Sequence, residues 1–534
     1  MRFLLLAALT FGLLACDRNP APAADAPHPD DDAPAASAEF AFAELDIAEL
    51  QARMDRGELS SRRLTEAYLE RIAAIDDAGP TLNAVIETNP DALAEADARD
   101  AEREAGRVRG PMHGIPVLLK DNIDATPMVN SAGSLALAQH RPEDDAFLVG
   151  RLREAGVVIL GKTNLSEWAN FRSTRSSSGW SGRGGQTRNP YALDRSPCGS
   201  SAGTGSAVSA NLAAVGVGTE TDGSIICPAA VNGLVAIKPT VGLVSRDGII
   251  PISRSQDTAG PMTRSVADAA LLLAAMAGPD EADTATLGAD REMPDYRRHL
   301  DEDGLRGARI GVLRDAMGYH PDVDAAMEDA IAAIQAAGAV VTDARIPTAG
   351  QWGNAEFEVL LYEFKAGLEQ YLAESDAPVQ TMAELIEYNQ RNAAQEMPLF
   401  GQELFEMAQA KGSLNDEAYL DAREKARRLA GPEGLEAALQ AQDLDALIAP
   451  ATSPAWLIDP VNGDHFTGAG YGVAAVAGTP SITVPMGESF GLPVGIVFMG
   501  PAWSEPRLIE LAYAFEQATL ARKPPRFLST IELE

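Results

Sequence analysis

Two serines and one lysine in this 534-residue chain have the types and spacing that suit nucleophilic catalysis. Ser200 lies in Cys198-Gly-Ser-Ser-Ala-Gly-Thr-Gly-Ser206, and Ser224 lies in Gly218-Thr-Glu-Thr-Asp-Gly-Ser-Ile225. Lys120 ends the apolar run Ile115-Pro-Val-Leu-Leu119. A serine hydroxyl becomes an effective nucleophile only when a base takes its proton. The pattern therefore predicts a hydrolase in which a lysine, and not a histidine, is the base.

Lysine can act as that base only when its amine is neutral. The ordinary pKa of a lysine is about 10.4, and burial lowers it because a low-dielectric interior disfavours the charged form. The run before Lys120 predicts a short buried strand, which would carry the lysine into the interior. The histidines offer no competing base, because none lies in a catalytic motif and His113 is expected to be structural. They are residues 28, 113, 140, 299, 320 and 465.

Another interpretation makes Ser201 the nucleophile. Gly199-Ser-Ser-Ala-Gly203 matches Gly-x-Ser-x-Gly, the nucleophile elbow of other hydrolases, which requires a strand directly before it. Residues 188–197 instead contain two prolines and predict a loop. The chain has no Ser-x-x-Lys motif of the penicillin-binding type at these serines, and the glycine-rich segment lacks the Gly-Lys-Ser/Thr end of a phosphate-binding loop.

Taken together, these motifs resemble the amidase signature family over about residues 45–525. Gly161-Lys-Thr-Asn-Leu-Ser-Glu-Trp168 and Asp257-Thr-Ala-Gly-Pro261 fit the same pattern, in the same order. Ser166-Glu-Trp-Ala-Asn-Phe171 resembles the bacterial peptide amidases within that family. The resemblance implies an α/β, amidase-signature fold, with a central mixed, largely parallel sheet covered by helices on both faces.

The resemblance also implies a role for each candidate residue. Ser224 would attack and form an acyl-enzyme, Ser200 would bridge, and Lys120 would be the general base. The oxyanion hole would be formed by the backbone amides of Thr221, Asp222, Gly223 and Ser224. Ser201 would support the loop of Ser200. No cofactor and no metal ion are implied.

Two departures from the wider family bear on the substrate. Asp222 stands where many members have glycine, and Ile226 stands where many have arginine; both resemble the peptide amidases. The implied substrate is a linear carboxamide, foremost the C-terminal amide of a peptide, which would release ammonia. The alternatives are another amide or ester hydrolase of the family, acting on aryl or fatty amides, and a catalytically silent, tethered binding protein. The amidase subunit of a tRNA amidotransferase is disfavoured by the export signal described next.

The N-terminus predicts export. Arg2 precedes an apolar run over residues 3–14, which is too short to span a bilayer comfortably, and the run ends in Leu13-Leu-Ala-Cys16. This ending resembles a bacterial lipobox, although an ordinary secretory signal stays an alternative. We expect a signal peptide over 1–15 and a lipid on Cys16, so that a periplasmic protein would touch the membrane only through its anchor.

The segments after the cysteine predict one tether and one domain. Residues 16–38 predict a disordered tether, since 18 of the 22 residues from 17 to 38 are Ala, Pro or Asp. Residues 39–534 predict the catalytic domain. The net charge of −34 argues against a nucleic-acid partner, which requires a basic surface. The sequence indicates no oligomeric state.

The remaining cysteines, Cys198 and Cys227, are expected to be two free, buried thiols, because free cysteine is among the most buried residue types. Hydrophobic periodicity predicts alternating strands and helices throughout, with a helical insertion over 354–430. It also predicts a short strand at Gly242–Val244.

Overall fold

The computed structural model describes residues 40–287 and 294–533. The predicted signal peptide, Cys16 and tether therefore lie outside the described residues. From Phe42 onward the chain forms one compact unit. In the part of the chain that is described, no helix has the length and apolar character needed to cross a bilayer.

An eleven-stranded sheet runs through this unit. Its strands are β1 (Val85–Thr88), β2 (Pro116–Lys120), β3 (Val158–Thr163), β4 (Val215–Glu220), β5 (Val235–Lys238), β6 (Thr258–Thr263), β7 (Arg309–Leu313), β8 (Val340–Ala344), β9 (Ala446–Pro450), β10 (Ser481–Ser489) and β11 (Leu492–Met499). Their spatial order is β1-β3-β2-β4-β6-β5-β10-β11-β9-β7-β8. A separate pair of short strands, Trp180–Ser181 and Gly185–Gln186, forms a small hairpin.

Over the described residues, the sheet contains four parallel and six antiparallel strand pairs, and at one edge β1 pairs antiparallel with β3. Strand β2 pairs in parallel with β3 and β4, and β9 and β8 pair in parallel with β7. Antiparallel pairs join these two groups from β4 through β6, β5, β10 and β11 to β9. The predicted mixed α/β fold is confirmed. Because β2 and β4 are adjacent and parallel, Lys120 and Thr219 lie side by side near the carboxyl ends of these two strands.

Sixteen α-helices accompany the sheet within the described residues. They are α1 (Ile47–Asp55), α2 (Ser61–Arg71), α3 (Ala92–Glu104), α4 (Phe147–Glu154), α5 (Ala202–Ser209), α6 (Ile226–Val231), α7 (Val266–Met276), α8 (Pro321–Ala336), α9 (Gly353–Glu374), α10 (Met382–Arg391), α11 (Ala393–Glu396), α12 (Glu403–Gln409), α13 (Glu417–Ala430), α14 (Glu436–Gln442), α15 (Gly472–Ala477) and α16 (Glu505–Thr519). Helix α2 has an N-terminal cap, since Ser60 Oγ accepts a hydrogen bond of 3.1 Å from the Arg63 amide.

The helical insertion predicted over 354–430 is confirmed as helices α9 to α13. It packs against the segment that leads to the candidate site. The ring of Trp168 lies 5.6 Å from that of Phe405, and the ring of Phe171 lies 5.1 Å from that of Phe364, measured between ring centres. Both pairs are edge-to-face and belong to one buried apolar cluster. The insertion therefore helps to fix the loop beside Ser200.

The prediction of a strand at Gly242–Val244 is wrong. The segment forms a turn, and Gly242 has a φ of +92°, a left-handed conformation that residues with a Cβ rarely adopt. A Cβ at this position would also overlap the carbonyl oxygen of Ala285. The strand that pairs with β5 in this region is β6, and its Gly260 and Pro261 weaken the alternation by which a strand is recognised.

Candidate active site

Three lysines of the first half of the chain have fully buried side chains, although lysine is almost never buried without a partner. Lys162 Nζ donates to the carbonyl of Ile123 at 2.7 Å and lies 3.3 Å from a carboxylate oxygen of Asp121. Lys238 Nζ donates to the carbonyl of Pro239 at 3.1 Å. Of the three, Lys120 alone contacts a serine hydroxyl among the described residues.

Lys120 has the surroundings that a neutral lysine requires. Its Nζ lies 2.8 Å from Ser200 Oγ, and it donates to Thr219 Oγ1 at 2.8 Å and to the Thr219 carbonyl at 3.2 Å. Burial lowers the pKa of Lys120 to about 7, against the opposing influence of the Asp257 and Glu220 carboxylates. At neutral pH a substantial fraction of this amine is therefore able to accept a proton from Ser200.

Thr219 is a site residue that the sequence analysis missed. Its hydroxyl accepts hydrogen bonds from Lys120 Nζ and, at 3.0 Å, from Asn122 Nδ2. Thr219 thus holds the amine beside Ser200 from the neighbouring strand. The available signal was its place in the Gly218–Ile225 motif, on the strand that leads to Ser224.

Ser201 joins the loop of Ser200 to the rest of the site. Its Oγ donates to the Thr219 carbonyl at 3.0 Å and accepts from the Thr219 amide at 3.2 Å. Its own amide donates to the Ser224 carbonyl at 3.1 Å. The Ser201 side chain is fully buried, and no strand is formed by residues 188–199 before it. This geometry fits a supporting residue and does not fit a nucleophile elbow.

The turn that carries Ser224 is held by a buried carboxylate. Glu220 Oε2 accepts hydrogen bonds from the amides of Ile225 at 2.7 Å and Ile226 at 2.9 Å. These amides open helix α6, where a negative charge is favourable. Thr221 Oγ1 donates to Asp257 Oδ1 at 2.6 Å. Glu220 and Asp257 were not identified from the sequence, and together they fix both ends of the turn.

The same turn leaves backbone donors available for a ligand. The amides of Asp222, Gly223 and Ser224 donate no hydrogen bond to any other described residue. Gly223 has a φ of +79°, and a Cβ there would overlap the ring of Tyr471, so that this position requires glycine. Free amides on a fixed turn can stabilise a developing negative charge.

Ser224 is 7% exposed and lies between two cavities. One cavity is also lined by Ser200, Asn122 and Tyr371. The other is also lined by Asp222 and Tyr471. A substrate can therefore extend from the Ser224 hydroxyl in two directions.

The prediction of two free cysteines is wrong. Cys198 and Cys227 are buried as expected, but they form a disulfide with a Cα–Cα distance of 6.0 Å. The fold places them at a distance that suits a disulfide, which a separation of 29 residues in the sequence cannot reveal. Cys198 lies two residues before Ser200 and Cys227 lies three residues after Ser224, so the bond joins the two serine-bearing segments.

Removing this disulfide with Cys198→Ala and Cys227→Ala is expected to lower the free energy of unfolding by about 3 kcal/mol. We also expect a fall in kcat at temperatures well below the melting transition, because the Ser200 and Ser224 segments lose their covalent link. Urea unfolding and steady-state kinetics measure the two effects. A reducing agent should reproduce both in the parent protein and should change neither in the double variant. Equal kcat in the two proteins would contradict the positioning role.

Within residues 40–287 and 294–533, no group of three or more His, Cys, Asp or Glu side chains is arranged to hold a metal ion. The groups gathered around Ser224 are hydroxyls, amides, carboxylates and one buried amine, and they suit acyl transfer by a serine.

Comparison with known proteins places these features in a family. The family model described as Amidase matches residues 63–509. The chain belongs to the amidase family. A probable amidase of Arabidopsis thaliana is 42% identical over 506 residues, which cover 92% of this chain and 93% of the relative.

Solved structures of peptide amidase are similar to this amidase over most of its length. The complex of peptide amidase with the competitive inhibitor chymostatin has a TM-score of 0.90 and 62% identity, covering 91% of this chain and all of the other. Native peptide amidase from Stenotrophomonas maltophilia has a TM-score of 0.89 and 61% identity, covering 91% and 99%. The predicted family and fold are confirmed, and the amidase is a hydrolase acting on amides.

Proposed function

We propose that this amidase hydrolyses the C-terminal carboxamide of peptides and that Ser224, Ser200 and Lys120 carry out the reaction. The observation that carries the proposal is the contact of the buried Lys120 amine with Ser200 Oγ at 2.8 Å, next to a cavity that also contains Ser224. A base, a bridging hydroxyl and a nucleophile would then form one chain of proton transfer.

In acylation, Ser224 Oγ attacks the carboxamide carbon. Its proton passes to Ser200 Oγ, whose own proton passes to Lys120 Nζ. The carbonyl oxygen becomes an oxyanion, to which the free amides of Asp222, Gly223 and Ser224 would donate. Lys120 then returns the proton through Ser200 to the leaving nitrogen. The C–N bond breaks, ammonia leaves, and an ester with Ser224 remains.

In deacylation, water takes the place of ammonia. It attacks the ester carbon and gives its proton to Lys120 through Ser200, again with the oxyanion held by the turn amides. Collapse of the second tetrahedral intermediate breaks the bond to Ser224, whose oxygen recovers the proton. The products are a peptide carboxylic acid and ammonia, and the enzyme returns to its starting state.

Similarity to peptide amidase supports the peptide substrate, because the match covers 91% of this chain at 62% identity. Asp222 and Ile226 add to this support, since both resemble the peptide amidases at positions where many other family members differ. Two cavities meet at Ser224, which suits a substrate that extends beyond the scissile amide.

The proposal includes export to the periplasm and a lipid anchor on Cys16. The N-terminal pattern supports it, and so does the buried disulfide, because disulfides persist mainly in oxidising compartments. Changing Cys16 to serine is expected to release the protein from the membrane fraction. Membrane association that survives this change would contradict the anchor.

The substrate is tested by following ammonia release from a neutral amidated dipeptide, the matching free amino-acid amide, an aryl amide and an ester. We expect the dipeptide amide to have the highest kcat/KM, with Ser200→Ala lowering it by roughly 10²- to 10⁴-fold because the relay is broken. Faster turnover of the aryl amide or ester would favour the other hydrolase activities. A folded protein that hydrolyses none of them, and that a fluorophosphonate does not label, would indicate a binding protein.

A further inference from the structure

One of the two cavities beside Ser224 has aromatic and acidic side chains in its lining that the proposed reaction does not use. We call it the acidic-aromatic cavity. Its aromatic side chains are Phe171, Trp456, Phe466 and Tyr471, and its carboxylates are Asp222 and Asp464. The rings of Trp456 and Phe466 are nearly perpendicular, with centres 5.9 Å apart, so that they present ring faces in two directions.

Asp464 places a fixed negative charge in the wall of this cavity. Its Oδ1 accepts a hydrogen bond of 2.9 Å from Trp456 Nε1, and its Oδ2 accepts one of 3.0 Å from the Ser178 amide. Both donors hold the carboxylate in one orientation. Asp464 forms no ion pair with any cationic side chain in the described part of the chain, so its charge is not neutralised there.

Asp222 adds acidity on the side nearer to Ser224. Its side chain is exposed to the cavity, while protein surrounds it elsewhere. It pairs with the carboxyl of Glu356, which in turn accepts a hydrogen bond of 3.1 Å from Gln256 Nε2. Burial and the Glu356 charge raise the pKa of Asp222, because two adjacent carboxyls resist full ionisation.

The acidic-aromatic cavity differs from its neighbour in having no basic lining. None of the described residues that line it is Lys, Arg or His. The cavity on the other side of Ser224 includes Arg246 and Arg254, and Arg246 forms an ion pair with Asp283. Aromatic faces combined with a carboxylate that has no cationic partner bind cations through cation–π attraction and charge-assisted hydrogen bonds.

We propose that the acidic-aromatic cavity binds a cationic side chain of the substrate, and that the preferred substrates are peptide amides with arginine or lysine next to the scissile carboxamide. This rests on the proposed function, since it names the class of peptide amide that the same site accepts. The overall charge of −34 would help to attract such substrates at low ionic strength.

The test compares two blocked dipeptide amides, glycyl-arginine amide and glycyl-citrulline amide, on the full-length protein. Citrulline has nearly the shape of arginine without its charge. We expect kcat/KM to be at least about tenfold higher for the arginine amide, and the ratio to fall as salt is raised from 50 to 500 mM. Equal rates, or a preference for citrulline, would overturn the inference.

Asp464→Asn tests the cavity itself. We expect this variant to bring the ratio of kcat/KM for the arginine amide to that for the citrulline amide close to one, with the value for the citrulline amide nearly unchanged. Asp222→Asn serves as a second variant that keeps the backbone amide. The matched control is Asp329→Asn, which removes the same charge from the exposed side of helix α8 and should keep the wild-type ratio. Equal losses with both substrates in Asp464→Asn would indicate a structural role and overturn the proposal. If folded wild-type protein hydrolyses neither amide, nor a neutral leucine amide, the proposed function itself fails.

Discussion

Replacing Ser224 by alanine is expected to lower kcat for a peptide amide by roughly 10⁴- to 10⁶-fold, the range found when a serine nucleophile is removed from a hydrolase. The residual activity would come from substrate binding and the turn amides. The fold should survive, because the hydroxyl is small and partly exposed to the cavities, so that the free energy of unfolding should change by less than about 1 kcal/mol. Ammonia release and thermal unfolding measure the two effects.

Ser201→Ala is the matched comparison, because it removes a hydroxyl from the same site. This hydroxyl is bonded on both sides to Thr219, so its loss should reduce stability as well as activity. Mass spectrometry after treatment with an acylating inhibitor should find the label on Ser224. A label on Ser201, or near-normal turnover by Ser224→Ala, would contradict the assignment.

Local sequence patterns predicted most elements of this fold, since each buried strand and amphipathic helix has its own periodicity. The helical insertion over 354–430 is an example. The order of the strands was not accessible in the same way, because pairing between distant segments leaves no local pattern. Strand β6 shows the limit, since its glycine and proline interrupt the alternation although it pairs on both sides within the sheet.

The candidate site shows the same contrast between what local patterns predict and what depends on the tertiary arrangement. The burial of Lys120 followed from the apolar run that precedes it, and the structure places its amine on Ser200. The partners that hold the site, Thr219 and Glu220, depend on strand register and on the path of the turn, which a single sequence does not specify. The disulfide between Cys198 and Cys227 depends on the same tertiary arrangement. Sequence reasoning thus identified the reacting groups better than the groups that position them.

Lys120 should also determine the pH dependence of the reaction. The neutral amine accepts the proton, so kcat/KM is expected to rise with pH and to level off above a pKa of about 7. Below that value the rate should fall about tenfold per pH unit, as the amine becomes protonated. Lys120→Met is expected to lower kcat by at least about 10³-fold at every pH, because no base remains. If Lys120→Met kept the fall of kcat/KM at low pH (the acid limb of the profile), that fall would belong to the titration of another group.

The free energy of unfolding should also change with pH because of Lys120. The direction of this change distinguishes the cost of burying a charge from ordinary damage to the core. Between pH 7 and about 10.5 the unfolded chain holds a proton on residue 120 that the folded chain lacks, so the wild-type free energy of unfolding gains about 1.4 kcal/mol per pH unit from this group. Lys120→Met lacks that contribution. Its stability relative to wild type should therefore be greatest at pH 6 and should decrease by about 2–3 kcal/mol by pH 9.

Urea unfolding of both proteins at pH 6 and pH 9 measures this difference. Lys238→Met is the matched control, because Lys238 is equally buried with its pKa lowered to about 8 but is not bonded to Ser200. It should show the same direction of change in stability while keeping the acid limb of the kcat/KM profile. If the stability of Lys120→Met and that of wild type stayed parallel across this range, Lys120 would not be neutral in the folded protein. The amine could not then serve as the base that the proposed reaction requires.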